Sequence, residues 1–195
     1  MPRQPGRGAL VLGTASALLV AALGVRALEP SAPDAPVKNE TDAAVLTPEI
    51  AIRNWPERPR LAARALLEKY GKPDVFDQDS LTWTGNRPWD ETVVRRGASL
   101  GESIQQSVHY PVPLAKLAQV RRVGGRIEYD SSNGELSSTS DIEGLNFLAM
   151  NLADEVAAGK RSPEEAHAFY RRTLELTENG KSSPYTSTLL FTPHE

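Results

Sequence analysis

The sequence predicts an α+β domain: an antiparallel, meandering sheet with one helix before it and a helical hairpin after it. Three observations carry this expectation. Residues 57–70 set Ala63, Leu66, Leu67 and Tyr70 on one face at helical spacing. Between residues 79 and 140, short runs alternate apolar and polar side chains and are separated by Gly, Asn and Pro. Residues 140–179 return to apolar steps of three and four. Helices at both ends of an antiparallel sheet give the layered α+β arrangement.

Each element follows in order. The first helix tolerates Pro59 in its first turn, where a missing N–H costs nothing. Gly71 supplies its left-handed cap and Pro73 blocks continuation. "DSLTWT" and "WDETVVRR" read as two strands, and "GNRP" between them carries hairpin turn residues. In "ESIQQSVHY", Ile104, Val108 and Tyr110 alternate with Gln105, Ser107 and His109, as in a half-buried strand. Pro113 opens a short helix through "LAKLAQV". "GRIEYDSSNGELSSTS" is a hairpin, because Asn133–Gly134 tolerates positive φ at both turn positions. Ser140 and Glu143 have capping-box spacing, and Ile142, Leu145, Ala149, Leu152 and Val156 form the stripe behind them. Gly159 stops that helix, and Ser162-Pro163-Glu164-Glu165 starts another that runs to Asn179–Gly180. Asn146 and Asn151 stand about 140° apart around their helix and read as buried polar ties. The tail "YTSTLLF" has the composition of an edge strand.

Composition sets the broad class. The chain has 195 residues, 39% apolar and 24% charged, and no cysteine. That removes disulfides, thiolate chemistry and a lipid-bearing cysteine. Residues 1–27 hold Arg3, Arg7 and Arg26 and no acid. The remainder carries 19 basic against 25 acidic residues, net −6, which argues against nucleic acid as a partner. "MPRQPGR" is a basic start, residues 8–25 are uncharged, and Val25 and Ala27 form a small-x-small site. This is the three-part pattern of an export signal over residues 1–27. The alternative is an uncleaved anchor, since an uncharged run of 18 residues reaches the lower limit for crossing a bilayer. Either way the rest of the chain is exported, periplasmic or secreted, and the membrane is a partner only through residues 8–25. Residues 28–50, with four prolines among Ala, Asp and Glu, read as a tether, leaving 51–195 as one domain.

The body resembles an uncharacterised family of bacterial exported proteins. The shared pattern is "KYGKPD", "LTW", "RPW…TVV", "HYPVP", "GELSS" and "NFLAMNLADEVAAGKRSPEEA", over roughly residues 55–192. The resemblance implies an export signal and one α+β domain, and it supplies no activity. A local resemblance, helix then "YGKP" then a strand with tryptophan, is to the small periplasmic domains of outer-membrane assembly lipoproteins. Those fold as two helices on a three-stranded sheet and bind other proteins; here the sheet is longer and the lipid-bearing cysteine is missing.

Catalytic motifs are few. Of the three histidines, His194 lies by the C-terminus and His167 in the last helix among acids. His109, on the polar side of its strand, is the natural candidate for a hydrolase that also uses scattered carboxylates such as Asp130. No G-x-S-x-G elbow and no paired-His spacing accompany it. "DVFDQD" places Asp74, Asp77 and Asp79 close together but lacks the glycine and distal glutamate of a calcium loop. "VGGRIEYD" has its glycines before a strand, whereas a dinucleotide fingerprint has them after one. No cofactor, metal ligand or catalytic residue is assigned. The binding candidates are Trp83, Arg87 and Trp89. Trp83 is expected to face inward from its strand, with Arg87 and Trp89 at a loop tip beyond Gly85–Asn86. The expectation is a non-catalytic exported domain that binds an envelope protein or polymer. Intact-mass measurement on protein from its native host should show a chain beginning near Leu28. Retention of Met1 with detergent-dependent extraction would instead identify the anchor.

Overall fold

The computed structural model describes residues 46–99 and 101–194, so the export-signal and tether expectations for residues 1–45 lie outside it. Regular structure begins inside the stretch read as tether. Helix α1 (Pro48–Ala51) has proline at its first position, and Thr47 Oγ1 accepts from the Ile50 N–H at 3.3 Å. A 3₁₀ turn, Ile52–Asn54, carries the chain to Trp55. Ile52 and Trp55 are buried, and the Trp55 indole N–H donates to the Gln78 carbonyl at 2.7 Å.

Helix α2 (Glu57–Tyr70) has the expected bounds and ends at Gly71, whose φ of +73° only glycine adopts cheaply. The strands are β1 (Val75–Phe76), β2 (Ser80–Thr84), β3 (Glu91–Arg95), β4 (Ile104–His109), β5 (Arg126–Asp130) and β6 (Glu135–Ser140). A 3₁₀ turn at Leu114–Lys116 and helix α3 (Leu117–Val120) link β4 to β5. Helices α4 (Glu143–Ala157) and α5 (Pro163–Glu178) complete the hairpin.

All pairings are antiparallel, in the order β1-β2-β3-β4-β6-β5. The sheet meanders through β4; then the last hairpin enters with β6, not β5, beside β4. Composition explains the choice. β6 offers the buried row Leu136, Ser137, Ser138 and Ser140, while β5 carries Arg126, Glu128 and Asp130. Charged residues suit an edge strand, where they discourage further pairing.

The register aligns Leu81, Val94, Ile104 and Ser140 in one row and Trp83, Thr92, Gln106, Ser138 and Ile127 in the next. Helices α2 and α4 cover this face. α2 packs Ala62, Ala63 and Leu66 against Leu81, Trp83, Val94 and Ile104. α4 packs Leu148, Leu152 and Val156 in a second cluster with Val108, Leu136 and Ile127. The opposite face carries Thr84, Glu91, Gln105, Glu128 and Thr139, all in contact with solvent. This follows the period-two division of a one-sided antiparallel sheet, although Val93, Ser107 and Ser137 on the second face are buried as well.

Two local expectations are corrected. The Ser140–Glu143 capping box does not form: the N-cap is Ile142, without a side-chain cap, and the Ser140 hydroxyl bonds the Ile142 backbone. Glu143 turns inward instead. The tail is not an edge strand. It forms a 3₁₀ turn, Pro184–Thr186, and an irregular segment held by Asn151. The Asn151 amide donates to the carbonyls of Tyr185 (3.1 Å) and Thr188 (2.8 Å), and its oxygen accepts from Leu190 N–H (2.7 Å). Those bonds hold the tail, and near its end the His194 N–H donates to the His109 carbonyl of β4 at 3.0 Å. The Ser162 capping box does form, with Glu165 answering the cap.

Leu152 is fully buried under α4. Leu152→Ala should cost about 2–5 kcal/mol in a denaturant melt. A loss below about 0.5 kcal/mol, typical of surface positions, would mean that α4 does not seat its stripe on the sheet.

Candidate binding cleft

α2 ends early because Gly71 and Pro73 stop it, which leaves Lys69 and Tyr70 in its last turn. α4 begins at once after β6, which puts Glu143 at its first position. The two ends meet over Gln106 of β4. Glu143 Oε1 accepts from the Tyr70 hydroxyl (2.5 Å), the Trp89 indole N–H (2.7 Å) and the Gln106 amide (3.0 Å). Its Oε2 accepts from the Lys69 ammonium at 2.6 Å. Only 13% of the side chain is exposed. Burial pushes this carboxyl upward, but the donors from Lys69, Tyr70, Trp89 and Gln106 outweigh it and hold it below the ordinary glutamate value. Burial, and then the bond to Glu143, pushes the Tyr70 phenol well above its usual range. A carboxylate with four donors and a lowered proton affinity is a poor general base. Its chemistry here is to hold elements together.

Beside this cluster lies an apolar cleft of about 530 Å³ between α2 and the start of α4. Leu61, Ala62, Ala65, Leu66, Ile104 and Ile142 line it. Leu61 and Ile142 are each 54% exposed, the Ile142 side chain having fallen off the buried stripe expected for it. The charges on its walls are paired. Arg58 bonds Asp141 at 3.2 Å, and Asp141 also accepts from the Ser103 hydroxyl (2.6 Å) and Gly101 N–H (3.0 Å). Burial raises the Asp141 carboxyl, and these donors outweigh it to leave it below the ordinary value.

The residues singled out from sequence fall differently. Trp83 faces inward, 2% exposed, and its indole N–H donates to the Gly71 carbonyl at 3.1 Å. Trp89 is not at a loop tip: it is fully buried, stacked on Phe147 at 4.8 Å, with its polar end spent on Glu143. The cis peptide at Arg87–Pro88 precedes it. Arg87 alone is presented to solvent, 3.8 Å from Asp90. The loop therefore offers no aromatic pair. His109 is exposed and packs over Gly134, where an added Cβ would lie 2.8 Å from its ring. Among the described residues its ring has no hydrogen-bonded carboxylate or hydroxyl, and Asp130 is spent on Ser132. Asp74 caps Thr84, and Asp77 accepts from the backbone N–H groups of Asp79 and Ser80, so these acids shape turns. Asn146 and Asn151 are buried ties, as their place in the helix suggests.

Sequence reasoning missed Glu143 and the cleft. Glu143 reads as a capping residue by spacing, and its partners lie 37 to 74 residues away. Leu61, an apolar residue off the α2 stripe, is the one local hint.

No family model matches the chain, and neither a curated protein nor a solved structure does. Among the described residues, no helix is long and apolar enough to cross a membrane, and no group of three or more His, Asp or Glu is placed to hold a metal.

The lowered Glu143 carboxyl couples stability to pH. Its contribution is complete above the ordinary glutamate value of 4.5 and is lost as pH falls through the lower folded value. Glu143→Gln should cost about 1.5–3 kcal/mol at neutral pH, and its stability should fall less steeply than wild type below pH 4.5. Parallel pH–stability curves for the two proteins would show that Glu143 does not carry this coupling.

Proposed function

We propose that this is a non-catalytic binding domain acting outside the cytoplasm on an envelope protein or polymer, and that the α2–α4 cleft takes an apolar segment of a protein partner. The observation that carries the proposal is the cleft itself: an apolar groove with Leu61 and Ile142 half exposed, next to a carboxylate whose lone pairs are already engaged. Covering the exposed halves of those two side chains contributes on the order of 1 kcal/mol each. The wall charges are paired within the domain, Arg58 with Asp141 and Lys69 with Glu143. Such a lining favours a neutral apolar guest over a charged chain, and this selects the protein segment over an ionic polymer. Ala62 and Ala65 let a partner backbone come close, as a bulkier lining would not. The export-signal pattern and the resemblance to exported bacterial proteins support the compartment.

Photo-cross-linking residues placed at Leu61 and Ile142, one at a time, should trap the same envelope protein in the native host. Leu114, 75% exposed and outside the cleft, is the control and should trap nothing discrete. The same adducts at all three positions, or none at Leu61 and Ile142, would remove the proposal.

A further inference from the structure

The connection from β4 to β5 ends in "RRVGG", and both of its arginines line one concavity. That concavity, lined by Arg121, Arg122, Gly124, Gly125, Pro163, Glu164 and His167, measures about 580 Å³ and shares no residue with the α2–α4 cleft. We propose that this concavity is a binding site for a phosphate group.

Three features support an anionic guest. First, cationic charge is in excess there. Glu164 is the acid in the lining, and it is already paired with Arg122 at 2.5 Å. That pair steadies one guanidinium, while Arg121 has no ion-pair partner among the described residues. The exported part of the chain is net acidic, so this surplus is local and runs against the overall charge. Arginine's planar fork also matches phosphate oxygens bidentately.

Second, the backbone contributes donors. Gly124 and Gly125 both have positive φ, +124° and +69°. Neither N–H makes a backbone hydrogen bond among the described residues. Consecutive amides freed in this way are the donors that phosphate loops use. Glycine is required because a Cβ at Gly124 would lie 2.6 Å from the Tyr170 ring, and one at Gly125 would lie 3.0 Å from the Ala149 methyl. The loop is thus pressed onto α4 and α5 and kept in place.

Third, His167 lines the same concavity from α5. The N-terminus of α5 is not the donor, since Ser162 and Glu165 close it. The size admits a phosphate with part of the molecule it belongs to. Two sources share this chemistry: a lipid headgroup, for which the exported location provides a surface, and a soluble phosphate.

The test uses the full chain. Titration with inorganic pyrophosphate, followed by amide NMR, should give saturable shifts at Gly124 and Gly125 and at residues 121–122 and 164–167. Shifts that are absent, or spread over the surface without saturation, overturn the proposal. Arg121→Gln with Arg122→Gln should weaken the affinity by about tenfold or more, since both guanidinium contacts are charge-assisted. The wild-type shift map stands on its own should that variant not fold. Vesicles of phosphatidylglycerol, with phosphatidylcholine as control, then separate the sources. Co-sedimentation with the anionic vesicles that pyrophosphate competes away assigns a headgroup. Pyrophosphate binding without sedimentation assigns a soluble phosphate. These outcomes are separate from cross-linking at Leu61 and Ile142, so either site can fail without the other.

Discussion

One buried carboxylate organises this domain. Glu143 leaves water at the point where two helices and the sheet converge, and an unpaired charge there would cost several kcal/mol. It is tolerated because Lys69, Tyr70, Trp89 and Gln106 supply four donors at 2.5–3.0 Å. The network then continues along the sheet. Gln106 Oε1 accepts from the Asn146 amide at 3.0 Å, and that amide also reaches the Ile104 carbonyl. The Ser138 hydroxyl closes the chain on Asn146 Oδ1 at 3.1 Å. Every member has a partner, which separates a specifying polar network from a destabilising one. The network sits between the two apolar clusters, so it sets where the α2 layer stops and the α4 layer starts.

This explains what was legible in the sequence and what was not. The bounds of α2, the turn at Gly134 and the Ser162 cap rest on residues within a few positions of one another. Local chemistry is enough to read them. The order of the last two strands, the fate of Glu143 and the burial of Trp89 depend on partners far away in sequence. Ser140 and Glu143 have the spacing of a capping box, but one local bond competes with four nonlocal ones and loses. Trp89 looks like a loop residue by its neighbours Arg87 and Pro88. It is core because Phe147 and Glu143, on α4, need a flat ring with a donor at one end. The tail looks like a strand by composition; Asn151 captures its backbone before any edge can.

The two proposed surfaces differ in the way their charges are settled. On the α2–α4 cleft each ionised wall group has an internal partner, and the unmet demand is apolar area. In the Arg121–His167 concavity the unmet demand is for negative charge and for acceptors. A guest for one is poorly matched to the other, because an apolar segment leaves Arg121 and the glycine amides without partners and a phosphate gains nothing from Leu61 and Ile142. The predicted loop at Arg87 has neither demand: its aromatic partner is buried, and its guanidinium faces Asp90.

Both surfaces follow from one feature of the topology. Because β6 takes the inner place beside β4, the chain leaving β4 must travel to the sheet edge before β5 can begin. That crossing supplies α3 and the Arg121–Gly125 connection, and packing against Tyr170 and Ala149 forces its last two residues to be glycine. The return along β6 then ends next to β4, under α2, with no room for a long loop. Asp141, Ile142 and Glu143 follow immediately, and α4 must start there. Had β5 taken the inner place, β6 would end at the sheet edge. Glu143 would then be carried outward by one strand position, about 5 Å, from the donors that hold it, and the cleft would lose one wall. The charges of β5 decide the matter: Arg126, Glu128 and Asp130 favour the edge, and both surfaces depend on that preference.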